Sequence, residues 1–264
     1  MIKINNLFDN DDVKVLEQRG EISVIEYQKD LSVNKITAMS EYFASQMNVK
    51  RRQAIISMEG SEYTISAGAM QWTTGNVTAK TDVKGVGDFF GKAIKGAVTS
   101  ESGVKPKYSG TGFLALEPTY NHILIEDISN WNGSIVLEDG LFIACESTLQ
   151  TNVVMRSNVS SAVLGGEGLF NLKLSGKGLA ILESPVPREE LILVELENDQ
   201  IKIDGNLAVA WSDTLDFTVE RSTRSLLGSA ASGEGLVNVY RGTGKLLMAP
   251  VRPETVSNVL NYRG

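Results

Sequence analysis

Histidine and cysteine are almost absent from this 264-residue chain, which has one of each, His122 and Cys145. A Ser-His-Asp or Cys-His centre would have to use His122, and a zinc site with several His or Cys ligands is excluded within one chain. Disulfides within the chain are excluded too, which fits a reducing compartment. Basic residues are also scarce: 25 Lys and Arg stand against 32 Asp and Glu, a net charge of −7. Affinity for nucleic acid comes mostly from neutralising phosphates, so this balance argues against a nucleic-acid protein. No apolar run approaches the ~20 residues that span a bilayer. The start, Met1-Ile2-Lys3-Ile4-Asn5-Asn6, lacks the basic-then-apolar pattern of a secretory signal. The expected location is the cytoplasm. What remains, 42% hydrophobic and 22% charged, is the mix of a globular protein with a sizeable core.

Internal repetition is the strongest signal present. Three segments place Gly-x-Gly before an apolar strand and a proline: Gly110-Thr111-Gly112 to Pro118, Gly176-Lys177-Gly178 to Pro185, and Gly242-Thr243-Gly244 to Pro250. The second glycines, Gly112, Gly178 and Gly244, are 66 residues apart both times. Upstream, Gly166-Glu167-Gly168-Leu169-Phe170-Asn171 matches Gly233-Glu234-Gly235-Leu236-Val237-Asn238, and Leu141–Ala144 matches Leu207–Ala210. The first copy fits if Ile65-Ser66-Ala67 stands for Ile143-Ala144-Cys145, which leaves it 12 residues longer.

Each repeat reads as β, with short alternating runs such as Ile201-Lys202-Ile203 and Val237-Asn238-Val239-Tyr240. Asn132-Gly133, Asp139-Gly140 and Asp204-Gly205 supply hairpin turns between them. A Gly-x-Gly that cradled phosphate would need a following helix, and here a strand follows. The glycines therefore read as turns or bulges where a side chain would clash. Three such units should pack around a shared core that includes Trp131 and Trp211.

The flanks are less regular. Ile22–Tyr27 reads as a strand, Ser40–Met47 as a short helix with Met39, Phe43 and Met47 on one face, and Lys50-Arg51-Arg52 as a solvated basic turn. The first copy's surplus falls at 85–107. Within it, Asp88–Val98 spaces Phe89, Phe90, Ala93, Ile94, Ala97 and Val98 along one helical face, with Asp88 as N-cap. Six Lys and three acids lie between Lys80 and Lys107, so a basic amphipathic helix could meet a partner or lie peripherally on a membrane. Phe89, Phe90 and Ile94 are the candidate interaction surface, the alternative being a lid packed on the chain's own sheet.

Candidate chemistry is thin. His122 stands at a strand start, no nucleophile-elbow sequence is present, and Cys145 reads as a small buried hydrophobe. Glu167 and Glu234 recur through the repeat, so paired-carboxylate catalysis by them has a simpler structural explanation. No catalytic, cofactor-binding or metal residue is assigned.

The segments Ala67-Gly68-Ala69-Met70, Ser161–Asn171 and Leu226–Leu236 resemble the altered-inheritance-of-mitochondria protein 24 family from about residue 20 onward. That resemblance implies a triplicated β fold similar to the tryptophan RNA-binding attenuator protein, a short double-stranded β-helix. It brings no agreed catalytic residues, and the RNA and tryptophan binding of the attenuator protein reaches this chain by fold analogy alone. The expectation is a mainly all-β chain with a few short helices, in one triplicated domain. Its parts are a flank at 1–60, repeats at 61–118 (with the insertion at 85–107), 119–185 and 186–250, and a tail at 251–264. The expected function is a non-enzymatic structural or interaction protein, self-associating as a homo-oligomer or held by a protein partner. A small-ligand or RNA module is the alternative, and a hydrolase or isomerase the third reading.

Overall fold

The structure is a computed structural model that describes residues 2–30, 32–80, 105–155, 170–221 and 236–251. The expected helix at 88–98, with Phe89, Phe90 and Ile94, lies outside the described residues, as does most of the two Gly-Glu-Gly motifs. Among the described residues the chain is mainly β, with sixteen strands and one α-helix. In order these are β1 (Val13–Arg19), β2 (Ile22–Tyr27), α1 (Ala38–Gln46), β3 (Arg52–Ile65), β4 (Met70–Thr73), β5 (Thr78–Lys80), β6 (Lys107–Leu116) and β7 (His122–Asp127). They continue as β8 (Ser134–Leu137), β9 (Phe142–Glu146), β10 (Gln150–Met155), β11 (Phe170–Ser175), β12 (Leu179–Ser184), β13 (Ile192–Ile203), β14 (Ala208–Ser212), β15 (Leu215–Arg221) and β16 (Leu236–Met248).

Two antiparallel sheets result. The first runs β1-β2-β3-β9-β12-β7, with β6 bonded to β3, β4 and β5; the second runs β10-β11-β8-β14-β16-β13, with β15 also on β16. Long strands such as β3 and β16 bond different partners along their length, and bulges interrupt the ladders where the partner changes. Such bulges sharpen the local twist, and both sheets curl in a barrel-like way. Local sequence explains the elements. β2 is an Ile/Val-rich run buried along almost its whole length. Asn132 and Gly133 both take positive φ, 55° and 80°, in a tight turn, but it leads from β7 in the first sheet to β8 in the second and is not the expected hairpin, since those strands do not pair.

The largest apolar cluster joins both sheets: Leu124, Trp131, Phe142 and Leu182 meet Leu137, Leu174 and Leu247. Trp131 is in it, and Trp211 packs against Phe217 and Tyr240 in the second sheet's own cluster, so both tryptophans are core residues. Trp131 Nε1 donates to Glu126 Oε2 at 3.2 Å, which satisfies the indole where it is buried.

The Gly-x-Gly strands meet their neighbours in one recurring register. Leu116 opposes Met70 and Ala115 opposes Trp72; Leu182 opposes Phe142 and Ile181 opposes Ala144; Met248 opposes Ala208 and Leu247 opposes Ala210. A bulge lies at that step in all three. A Cβ built on Gly112 would lie 2.3 Å from the Thr74 carbonyl oxygen, on Gly178 2.6 Å from Thr148 Oγ1, and on Gly244 2.8 Å from Thr214 Oγ1. At Gly112 the clash is with backbone, so only glycine fits; at Gly178 and Gly244 neighbouring side chains would have to shift. Ile65 does not occupy the place of Ile143 that its sequence context suggests. It ends β3 and opposes Ala144 directly, while Met70–Thr73 takes the place against β6 that Phe142–Glu146 takes against β12.

Candidate functional site

The helix α1 and the basic run that follows it form the most distinctive polar and apolar assembly among the described residues. Asn34 starts the helix: its Oδ1 accepts from the Ile36 and Thr37 amides at 2.8 and 3.2 Å, which turns the chain into the first helical residues. Asn48, in a left-handed conformation (φ 63°), ends it. The chain then enters β3 through Lys50-Arg51-Arg52.

That basic run is not the solvated turn its composition suggests, because Arg52 is buried. Its Nη2 lies 2.7 Å from Glu26 Oε2 and donates to both the carbonyl and the side-chain oxygen of Asn48 at 2.9 Å. Its Nη1 donates to the Lys50 and Tyr120 carbonyls at 3.3 Å. The Lys50 ammonium lies 3.6 Å from Glu26, and Arg51 pairs with Asp30 at 3.0 Å while donating from Nε to the Tyr120 hydroxyl. One buried arginine thus ties the helix end, the β2–β3 ladder and the segment before β7 together. The reason is desolvation: a guanidinium forced inside by the strand must find carboxylate and carbonyl partners. A cleft of about 200 Å³ lies between α1 and these groups, walled by Asp30, Glu41, Tyr42, Arg51 and Tyr120.

The outward side of α1 is the opposite. None of its residues is buried, and Met39, Phe43 and Met47 share one face, as their spacing predicts. With Ile36 at 89% and Met47 at 78% exposure, this face offers a row of large apolar side chains to solvent. Sequence periodicity found the row. What it could not show was that the row faces away from the sheet.

His122 opens β7 beside this cluster. Burial and the neighbouring Arg52 charge lower its pKa to about 4, so it is neutral at pH 7 and a poor general base. Cys145 is buried in β9, and burial pushes its thiol up to about 12, which leaves it unreactive near neutral pH. The two are not brought together. His122 opposes Ser184 and Cys145 opposes Ala180 on β12, four positions or ~13 Å apart along that strand. Among the described residues no cluster of three or more His, Cys, Asp or Glu could hold a metal.

A second concavity lies in the second sheet. Val136, Trp211 and Leu215 line a cavity of about 430 Å³ whose polar groups include Asn171, Asp216 and Arg241. Arg241 is held by Glu220 through two contacts of 2.5 and 2.8 Å, and its Nε donates to Gln200. The glycines Gly112, Gly178 and Gly244 line neither concavity. No sequence pattern announces the cavity, because its residues come from six separate strands.

The family model described as mitochondrial biogenesis AIM24 matches residues 47–251. The chain is 29% identical over 209 residues to an uncharacterised protein of Streptococcus pyogenes serotype M6, covering 76% of this chain and 81% of the relative. It is also similar to the crystal structure of a Streptococcus pyogenes protein determined by structural genomics. The TM-score is 0.60 at 26% identity, over 81% of this chain and 94% of that one.

Proposed function

The chain belongs to the mitochondrial biogenesis AIM24 family, and from that premise we propose that it is a non-enzymatic interaction scaffold on a triplicated β fold of the double-stranded β-helix type. The observation that carries the reading is α1 with its flanks, where Ile36, Met39, Phe43 and Met47 stand in solvent while Arg52 and Asn48 fix the helix end to the sheet. Anchors spaced three and four residues apart suit a protein partner with an apolar groove for a helix. Methionine adapts such a surface to its partner. The recurring register and bulge three to four residues after Gly112, Gly178 and Gly244 support the triplication. The buried single thiol supports a cytoplasmic setting, and a homo-oligomer is part of the same proposal.

The test is a Met39→Ser/Phe43→Ser/Met47→Ser variant. It should melt with wild-type protein, because these side chains touch no core, and it should lose the proteins that co-purify with the wild type from its own host. Retention of every partner would overturn the reading. Loss of vesicle flotation in place of protein partners would move the surface to a membrane. A second reading, a small-ligand module, is favoured by the 430 Å³ cavity, within the usual volume range of ligand pockets. Native mass spectrometry of protein from its host would show a retained metabolite.

A further inference from the structure

We propose that the first half of β13, Ile192–Leu196, is a self-pairing edge. A second copy of this chain adds its own β13 there, antiparallel, about a two-fold axis through Val194. This surface is separate from α1, and the inference does not rest on the reading of that helix.

β13 ends the second sheet and, among the described residues, bonds only to β16, so its other edge presents backbone donors and acceptors with no partner strand among them. Ile192 and Leu193 are 42% and 51% exposed. The two end strands of the first sheet are blunted. β1 carries a bulge at its centre and the charges of Lys14, Glu17 and Arg19, and four of the six residues of β7 are buried. On β13 the protective bulge comes only after Leu196, where Asn198 turns to φ 50°. Between Ile192 and Leu196 there is no bulge and no proline.

Register selects the partner. Ile192, Val194 and Leu196 share a face, and Val194 and Leu196 already pack beside the cluster of Trp211 and Tyr240. Centring the pair on Val194 opposes Ile192 to Leu196, Val194 to itself and Leu193 to Glu195, so the apolar layer runs on from one copy into the next. Centring on Glu195 sets that carboxylate against its own copy, and centring on Leu196 sets it against Glu197; both oppose like charges. Centring on Leu193 faces Leu196 with Glu190. A slip by one residue turns the second copy's apolar face outward. The Val194 register alone joins the apolar faces without opposing acids, and Lys245, 3.2 Å from Glu195, offsets the one carboxylate it includes.

The experiment is a concentration series by sedimentation equilibrium on the full chain. Wild type should show a reversible monomer–dimer equilibrium. Leu193→Glu places two Glu–Glu contacts across the axis and should weaken the dimer about tenfold, whereas Leu193→Lys makes two opposite-charge pairs and should tighten it several-fold. Gln200→Glu and Gln200→Lys, beyond the bulge, control for net charge and should change little. A chain that stays monomeric overturns the proposal, as does a dimer that responds equally at both positions or dissociates with the α1 variant. As an independent check, Val194→Cys should cross-link to its copy on mild oxidation, because directly opposed strand residues lie ~4.5–5.5 Å apart between Cα atoms, within disulfide reach. Ile201→Cys should not.

Discussion

Each sheet holds an arginine–glutamate pair, and the two differ in where the charges sit. In the first sheet Arg52 and Glu26 have side chains only 1% and 8% exposed, and Arg52 makes further bonds to three backbone carbonyls. In the second, Arg241 and Glu220 pair as closely, yet their side chains are 40% and 35% exposed. The same two residue types therefore do different work. The buried pair holds α1 and β7 to the sheet because neither charge has water to fall back on. The exposed pair competes with solvent at every contact, and salt screens it.

The sharpest way to break this comparison is to remove one partner from each pair. Glu26→Gln leaves the Arg52 guanidinium inside the protein without its carboxylate, and should destabilise by about 3–5 kcal/mol in urea unfolding. The Arg52 Nε has no partner even in the intact protein, so little spare bonding is on hand to compensate. The double variant Glu26→Leu/Arg52→Met should recover much of that loss, since apolar residues of similar volume often replace a buried pair without penalty. A Glu26→Gln protein as stable as wild type would show that water reaches the pair.

How much of this was legible in the sequence follows from the same physics. Strand and turn signals are local, so β2, the Asn132-Gly133 turn and the buried tryptophans could be read from periodicity and composition. The glycine spacing also points to places where a side chain would clash, and Gly112, Gly178 and Gly244 each sit against a turn residue, Thr74, Thr148 and Thr214. Burial of Arg52 could not be read. A Lys-Arg-Arg run looks solvated until the fold brings Glu26 opposite it, and that partner comes from the adjacent strand 26 residues earlier. Ile65 departs from its expected place for a related reason: one residue type fits two strands, and only the ladder decides between them. The α1 stripe was legible as a helix face, but its direction depends on what else is close enough to cover it.

His122 sharpens the comparison through pH. It sits beside the buried pair, and its pKa is lowered from 6.5 to about 4 by burial and by Arg52. The folded protein therefore binds fewer protons than the unfolded chain between those values, so this contribution is complete above pH 6.5 and is lost as pH falls toward 4. The histidine is only half buried, so screening reduces the effect to on the order of 1 kcal/mol. Stability of His122→Asn should be flatter than that of wild type across that window. Identical pH curves would show that the imidazole is solvated.

The smallest effect belongs to the exposed pair. The hydrogen bond from Arg241 is the main reason that the Glu220 carboxyl titrates at about 2, below its ordinary 4.5, with Thr218 adding a second bond. A lowered carboxylate pKa contributes stability that is full above about pH 4.5 and is lost as pH falls through the folded value near 2. With both side chains well exposed, water and salt offset most of that contribution. Arg241→Gln should therefore shift the urea midpoint several-fold less than Glu26→Gln, and the shift should shrink further at 1 M salt, where the Debye length is ~3 Å. Its response to pH should be confined to the acid side of pH 4.5, outside most of the His122 window. A salt-independent loss in Arg241→Gln, as large as that of Glu26→Gln, would mean that the pair is shielded from solvent. The contrast between the two sheets would then have to be drawn from packing and not from burial of charge.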